Sequence, residues 1–400
     1  MRAPPIFIVH VTMQGCSGSG IQVDASHVLT CAHVLHPLGP EEFYAEPEGK
    51  RPDVRHYPVR VRFGRFETAG TVIAQHKLLD LVVIKLARPR PGIAAPLEFD
   101  SGYGGGACVV GLTHVGQRPE ALLQPIGIVA KASSQGPLLK QVKHEFGAQE
   151  GTSGGGVFAD RDGSLLCVGV ATLGGERAKM GAYIPAESMV GFLKEAIGFE
   201  LRPPPTNDHG RYLARSGVAA NWEFKTPDGQ LALAFAPILQ AVPDAPASIS
   251  FVSRRVVTAS QMRLLMRDRI LPGHHRLPAW AKTAEQADSA IGQLGEAMKW
   301  KFRLPMPEEL QIAWRGTNFP AGQLKAPEAR PLALRDFKAN DWGIEIPPMG
   351  AIEWAREANG YSCAVERSSV EDGPGPTTVP PGDVSLREPC FRAAFDVEGL

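Results

Sequence analysis

Apolar and polar positions change their rhythm once along this chain, near residue 200. In the first half, runs rich in Val, Ile and Leu, four to six residues long, are broken by Gly, Pro and Asp clusters, the pattern of a β-sandwich or barrel. Gly20-Ile21-Gln22-Val23, His27-Val28-Leu29-Thr30, Leu81-Val82-Val83-Ile84-Lys85-Leu86, Cys108-Val109-Val110-Gly111 and Leu165-Leu166-Cys167-Val168-Gly169-Val170 are predicted strands. One helix closes the half at Ala186–Ile197, because Met189, Phe192, Leu193 and Ile197 share a face at helical spacing. Pro203-Pro204-Pro205 then forbids further helix and favours an extended spacer. The predicted organisation is a domain over 1–200, a Pro-rich linker over 201–214 and a second domain over 215–400.

The second half follows another pattern. It carries Trp222, Trp280, Trp300, Trp314, Trp342 and Trp354, every tryptophan of the chain. Helices are predicted near 258–268, 283–299 and 306–315, between long Pro/Gly loops of which 370–382 is the clearest. The two halves share no internal repeat.

Composition narrows the class. A formal net charge of zero, with no basic stripe or acidic tail, gives nucleic acid and anionic membranes no electrostatic footing as partners. No run is long enough to span a membrane, and the N-terminal Ile6–Val11 run is too short for a signal segment, so a cytoplasmic protein is expected. The six cysteines are scattered without a C-x-x-C pair, which argues against a zinc site. They read as buried thiols of a reducing compartment; a Cys16–Cys31 disulfide is the minor alternative.

Chemistry concentrates in three places. Thr30-Cys31-Ala32-His33-Val34 ends one strand, Asp80 precedes another, and Gly151-Thr152-Ser153-Gly154-Gly155-Gly156 forms a glycine loop. Each alone is ordinary: a satisfied histidine, a turn aspartate, a turn. Together, in this order and at strand edges, they supply a nucleophile (Ser153), a base (His33) and an orienting carboxylate (Asp80). The N–H groups of Gly151 and Ser153 would serve an oxyanion, since glycine allows the turn this needs.

With these flanks, residues 15–195 resemble the trypsin-like serine peptidases, above all bacterial intracellular and HtrA-type ones. The matching segments are Gly18–Val23, Val28–Val34, Asp80–Leu86, Gly151–Gly155 and Gly181-Ala182-Tyr183-Ile184-Pro185. The resemblance implies an all-β double barrel with His33, Asp80 and Ser153 as the triad in the cleft between barrels, acting on a protein or peptide, with no cofactor. The animal enzymes have Asp before the nucleophile, where a freed N-terminus docks; Thr152 stands there, so control is expected from elsewhere. By the same analogy Gly147 lies at the base of the primary pocket and Ala171-Thr172-Leu173 forms its wall. An apolar or small side-chain preference follows, although Glu150 or Glu176 could place a carboxylate nearby.

In the second half, Phe302–Gly316 opens a helix with Pro307 in its first turn and acids near the N-terminal dipole. Trp342-Gly343-Ile344, Met349-Gly350, Ala351-Ile352-Glu353-Trp354 and Cys390-Phe391-Arg392 follow. As local chemistry these are core tryptophans, turn glycines and buried Arg–Glu pairs. As a set they resemble the formylglycine-generating-enzyme (sulfatase-modifying-factor) family, with Val256–Gln261 matching an earlier segment, which implies an α+β C-type-lectin-like fold over 215–400. Catalytic members carry a cysteine after G-F-R and another shortly before; here Ala393 follows Arg392, and Cys363 is far from Cys390 in sequence. A non-catalytic recognition module that binds a protein or ligand is therefore expected, with the segment 359–390 as its candidate surface. The pairing suggests a conflict or defence effector. The competing expectation is a ligand-display protein, like the variable proteins of diversity-generating retroelements, on an inactive or held-off protease scaffold.

Overall fold

The computed structural model describes residues 7–36, 43, 50, 52–64, 66–93, 95, 97, 106–115, 118–132, 140–143, 151–161, 164–173, 180–200, 222–240, 248–266, 277–315, 338–340, 344–346, 352–357, 360–367, 375–379 and 389–396. The chain divides into a unit ending at Ala220 and a unit spanning Asn221–Val397. The predicted linker over 201–214 lies outside the described residues.

The first unit holds two closed six-stranded barrels. The first comprises β1 (Ile8–Met13), β2 (Cys16–Gln22), β3 (His27–Thr30), β4 (Val59–Phe63), β5 (Phe66–Gln75) and β6 (Val82–Leu86), in the order β1-β2-β3-β6-β5-β4. In β4 the sequence alternates Val-Arg-Val-Arg-Phe, and burial alternates with it. In β6 only Lys85 reaches solvent, so its apolar run is unbroken where the strand is covered on both faces. The second barrel comprises β7 (Gly106–Val115), β8 (Arg118–Ala132), β9 (Lys140–Lys143), β10 (Gly156–Arg161), β11 (Ser164–Leu173) and β12 (Met180–Pro185), in the order β10-β11-β12-β9-β8-β7. Helix α1 (Ala186–Ile197) follows without a loop and packs on β11 and β12, burying Met189, Phe192 and Leu193. It ends at Gly198 in the left-handed conformation, whose N–H closes on the Leu193 and Lys194 carbonyls. Ile197 is half-buried at the edge of that face.

The second unit mixes helices and sheet. A four-stranded sheet runs β13 (Trp222–Lys225), β14 (Ala232–Gln240), β15 (Ser248–Ser253) and β21 (Ala394–Asp396). A two-stranded ribbon pairs β16 (Lys338–Ala339) with β17 (Glu345–Ile346), and a three-stranded sheet runs β18 (Ile352–Glu357), β19 (Gly360–Arg367) and β20 (Gly375–Val379). The helices are α2 (Ala259–Leu265), α3 (Ala284–Met298) and α4 (Pro307–Arg315), within one to three residues of their predicted bounds. Thr258 starts α2 with a capping box closed by Gln261.

The expected Arg–Glu pairs and core tryptophans are present here. Arg392 and Glu353 form a fully buried two-pronged pair, with Nε–Oε2 at 2.6 Å and Nη2–Oε1 at 2.5 Å. The Arg392 Nη1 and Nη2 groups also donate to the Ser253 and Glu345 carbonyls. Trp314 and Trp354 are buried, and the Trp354 indole N–H donates to the Ala281 carbonyl. Trp342, Gly343, Met349 and Gly350 lie outside the described residues, as does most of 370–382.

Candidate active site

Strand pairing brings two of the expected residues to one rim. β3 and β6 run antiparallel with Thr30 opposite Val82. His33 lies three residues beyond Thr30, and Asp80 two residues before Val82, so both leave the barrel at the same end. A 3-10 turn over Ala32–Leu35 then turns His33 back. The His33 backbone N–H donates to Asp80 Oδ1 at 2.9 Å, and its ring Nδ1 meets Asp80 Oδ2 at 2.5 Å. Both side chains are about 95% buried. The second barrel supplies a third contact, from the Thr172 hydroxyl to Asp80 Oδ2 at 2.8 Å. The carboxylate thus accepts three hydrogen bonds away from water, as a buried charge requires.

The nucleophile loop is built from the second barrel. β10 pairs with β11, Gly156 opposite Val170, so the residues before Gly156 run beside Ala171 and Thr172. Gly154 N–H donates to the Ala171 carbonyl and Ala171 N–H to the Gly155 carbonyl, each at 2.8 Å. Gly155 N–H donates back to Thr152 at 2.8 Å, which closes the turn around Ser153. Gly151 and Gly154 take φ of +90° and +82°, the region that favours glycine. At Gly154 the requirement is also spatial, since a Cβ would lie 2.1 Å from the Ser19 carbonyl oxygen and 2.2 Å from Thr30 Oγ1. The first barrel grips this loop: Ser19 N–H donates to the Ser153 carbonyl at 2.8 Å. Ser153 therefore sits where the two rims meet, half-buried, its carbonyl beside Gly18, where a Cβ would lie 2.9 Å from it.

The N–H groups of Gly151 and Ser153 donate to no other group among the described residues. Thr172, expected in a pocket wall, is buried with its hydroxyl on Asp80. Ala171 is half-buried with both backbone groups bonded to the nucleophile loop. Leu173 ends β11, and Gly147, Glu150 and Glu176 lie outside the described residues. Thr172 and Ser19 are polar neighbours whose contacts with the site are not readable from the sequence. A threonine in an apolar strand carries no local sign that it faces a carboxylate 92 residues away.

Cys31 completes the buried cluster. Its thiol donates to the Ala171 carbonyl at 3.3 Å, and burial, reinforced by the Asp80 charge, pushes its pKa well above the ordinary range. Donor atoms of Cys31, His33 and Asp80 lie within 4.8 Å of one another. A cation there would have to displace the bonds from His33 and Thr172 to Asp80 and deprotonate a thiol held neutral, so the cluster is one of hydrogen bonds. Cys16 and Cys31 are both free thiols, which excludes the disulfide weighed between them.

No helix among the described residues is long and apolar enough to cross a membrane. Sequence comparison with curated proteins finds no match. Among solved structures, the chain is similar to three of Rv3671c from Mycobacterium tuberculosis. An inactive-form mutant is 17% identical with a TM-score of 0.36, covering 50% of this chain and 91% of that one. The inactive-form protease is 17% identical with a TM-score of 0.35, covering 49% and 98%. The active form is 16% identical with a TM-score of 0.35, covering 50% and 85%. Residues 18–170 match the family model of the trypsin-like peptidase domain. This span holds His33, Asp80 and Ser153, and the N-terminal half of the chain thus carries a trypsin-like peptidase domain.

Proposed function

We propose that the N-terminal domain is a serine endopeptidase in which His33, Asp80 and Ser153 act as the triad. The observation that carries this reading is the buried Asp80 carboxylate, which accepts both the backbone and the ring N–H of His33. A carboxylate on Nδ1 keeps the proton on that nitrogen and leaves Nε2 as the base. His33 Nε2 takes the Ser153 hydroxyl proton as Oγ attacks the peptide carbonyl, and Asp80 stabilises the resulting imidazolium. The Gly151 and Ser153 N–H groups, which donate to nothing else described, receive the oxyanion. His33 then hands its proton to the leaving amine, and water enters by the same steps to release the acyl group.

The C-terminal unit, in this reading, is a non-catalytic module of C-type-lectin-like ancestry that selects the substrate or senses a trigger. Support comes from its cysteines. Cys363 stands opposite Trp354 on one side of β18, while Cys390 bridges Glu353 on the other. Strands are about 4.8 Å apart, so the two positions are roughly 10 Å from each other, too far for a cysteine pair. Burial, with Glu353 nearby, also pushes the Cys390 thiol well above its ordinary range, which makes it a poor redox centre. The free thiols at Cys16, Cys31, Cys167 and Cys390 fit a reducing, cytoplasmic setting.

Wild type and Ser153→Ala, expressed in a bacterial host, give the test. Wild type should take a fluorophosphonate label and create new protein N-termini across the proteome, with small or apolar residues before the cut; the alanine variant should do neither while keeping its fold. The alternative is a binding protein on a held-off protease scaffold. A wild type that takes no label, with or without its partner, selects that reading.

A further inference from the structure

Ser19 is fully buried in β2, and three of its polar groups converge on the nucleophile region. Its N–H donates to the Ser153 carbonyl at 2.8 Å, its hydroxyl donates to the Gly151 carbonyl at 2.7 Å, and its carbonyl accepts from Thr30 Oγ1 at 2.6 Å. The two residues whose N–H groups would bind an oxyanion thus have both carbonyls held by one residue of the other barrel. Between them, the Thr152 carbonyl accepts from Gly155 N–H at 2.8 Å. Three successive peptide planes are therefore pinned, those following Gly151, Thr152 and Ser153; the Ser153 N–H lies in the second of them, while the Gly151 N–H lies in the plane before the first, one φ rotation from the Ser19 bond. The plane after Gly151 needs its pin most. Glycine moves between positive and negative φ at little cost, so a loop with Gly151 at +90° can swing its N–H away once its carbonyl is released.

Resting on the peptidase reading, we infer that Ser19 is a positioning residue for the oxyanion site, its hydroxyl holding Gly151 in the conformation that aims the N–H at the reacting carbonyl. The bond is made before substrate arrives, so the site is preorganised by the first barrel. Thr30, on the strand leading to His33, fixes Ser19 in turn, which ties the oxyanion donors and the base to one element.

The test compares wild type, Ser19→Ala and Ser19→Cys on a p-nitrophenyl ester. The alanine variant should lose kcat by about 10- to 100-fold, less than the 10²–10³ of an oxyanion donor removed outright, with KM within about twofold. Ser19→Cys keeps a weaker donor and should fall between the two; it serves alone if the alanine variant does not fold. A separate readout needs no turnover. In ¹⁵N-glycine-labelled protein carrying Ser153→Ala, the Gly151 amide signal should shift or split when Ser19 becomes alanine. An unchanged kcat with an unchanged Gly151 signal overturns the inference, as does a rise in KM alone. A wild type that neither cleaves nor labels defeats the peptidase reading, while the glycine spectra still decide whether Ser19 holds the loop.

Discussion

Asp80→Asn probes the site most sharply, because it changes one oxygen to an NH₂ and almost no volume. Asp80 Oδ1 accepts from the His33 backbone N–H, and Oδ2 accepts from the Thr172 hydroxyl at 2.8 Å and faces His33 Nδ1 at 2.5 Å. An asparagine must place its NH₂ at one of these positions. At Oδ1 it would set two donors against each other, so the NH₂ takes the Oδ2 position and the Thr172 hydroxyl turns away. There it donates to His33 Nδ1, which forces the ring proton onto Nε2 and removes the base that Ser153 needs. The same substitution in a Ser-His-Asp site lowers kcat by about 10⁴, roughly 5 kcal/mol of barrier. Stability should change by only about 1–2 kcal/mol, since the lost charge-assisted bonds are offset by the lost burial cost of a charge. The assay is kcat on an activated ester, with fluorophosphonate labelling rate and thermal unfolding measured alongside. Retention of a tenth or more of wild-type kcat in a folded Asp80→Asn protein would refute the reasoning.

Other outcomes follow from the same geometry. Gly154→Ala should cost about 3 kcal/mol or more, because its Cβ meets backbone of the other barrel 2.1 Å away at a φ of +82°; a wild-type melting temperature would contradict this. Arg392→Met should destabilise the C-terminal unit by about 3–5 kcal/mol by leaving Glu353 charged at 0% exposure, whereas Arg392→Met with Glu353→Met should cost less; a double-variant loss equal to the sum of the two single losses in urea unfolding would show the pair is not coupled. The His76 ring accepts the Leu78 and Leu79 N–H groups on Nδ1 and packs edge-on against Phe192, and burial holds its pKa below 6.5 against the pull of Glu195. Its folded pKa is depressed, so its contribution is complete above about 6.5 and is lost as pH falls through the lowered value. His76→Asn, which keeps an acceptor that does not titrate, should flatten the stability–pH curve in that window.

The chain order of His, Asp and Ser, the strand-like runs beside them and the change of rhythm near residue 200 were all legible from residue types. They depend on local periodicity and on turn-forming glycines, which neighbours in sequence decide. The helices of the second half were legible for the same reason, with Pro307 marking one of their starts. The partners of the candidate site were not. Thr172 reads by resemblance as part of a pocket wall, and nothing around it in sequence shows that its hydroxyl completes the Asp80 carboxylate. Ser19 reads as a small residue between glycines, yet it holds two carbonyls more than 130 residues away. Cys31 and Cys390 gave no sign of which charges would lie beside them.

Residue type and spacing along the strand determined which groups carry chemistry and on which element each lies, because side-chain direction and turn propensity are properties of a few consecutive residues. Only the tertiary structure decided which of those groups meet. Antiparallel pairing of β3 with β6 carries His33 and Asp80 to one rim, and the packing of the two barrels sets Ser19 and Thr172 against the nucleophile loop and the carboxylate. Those contacts join residues 47 to 134 positions apart, a separation over which local propensity carries no information.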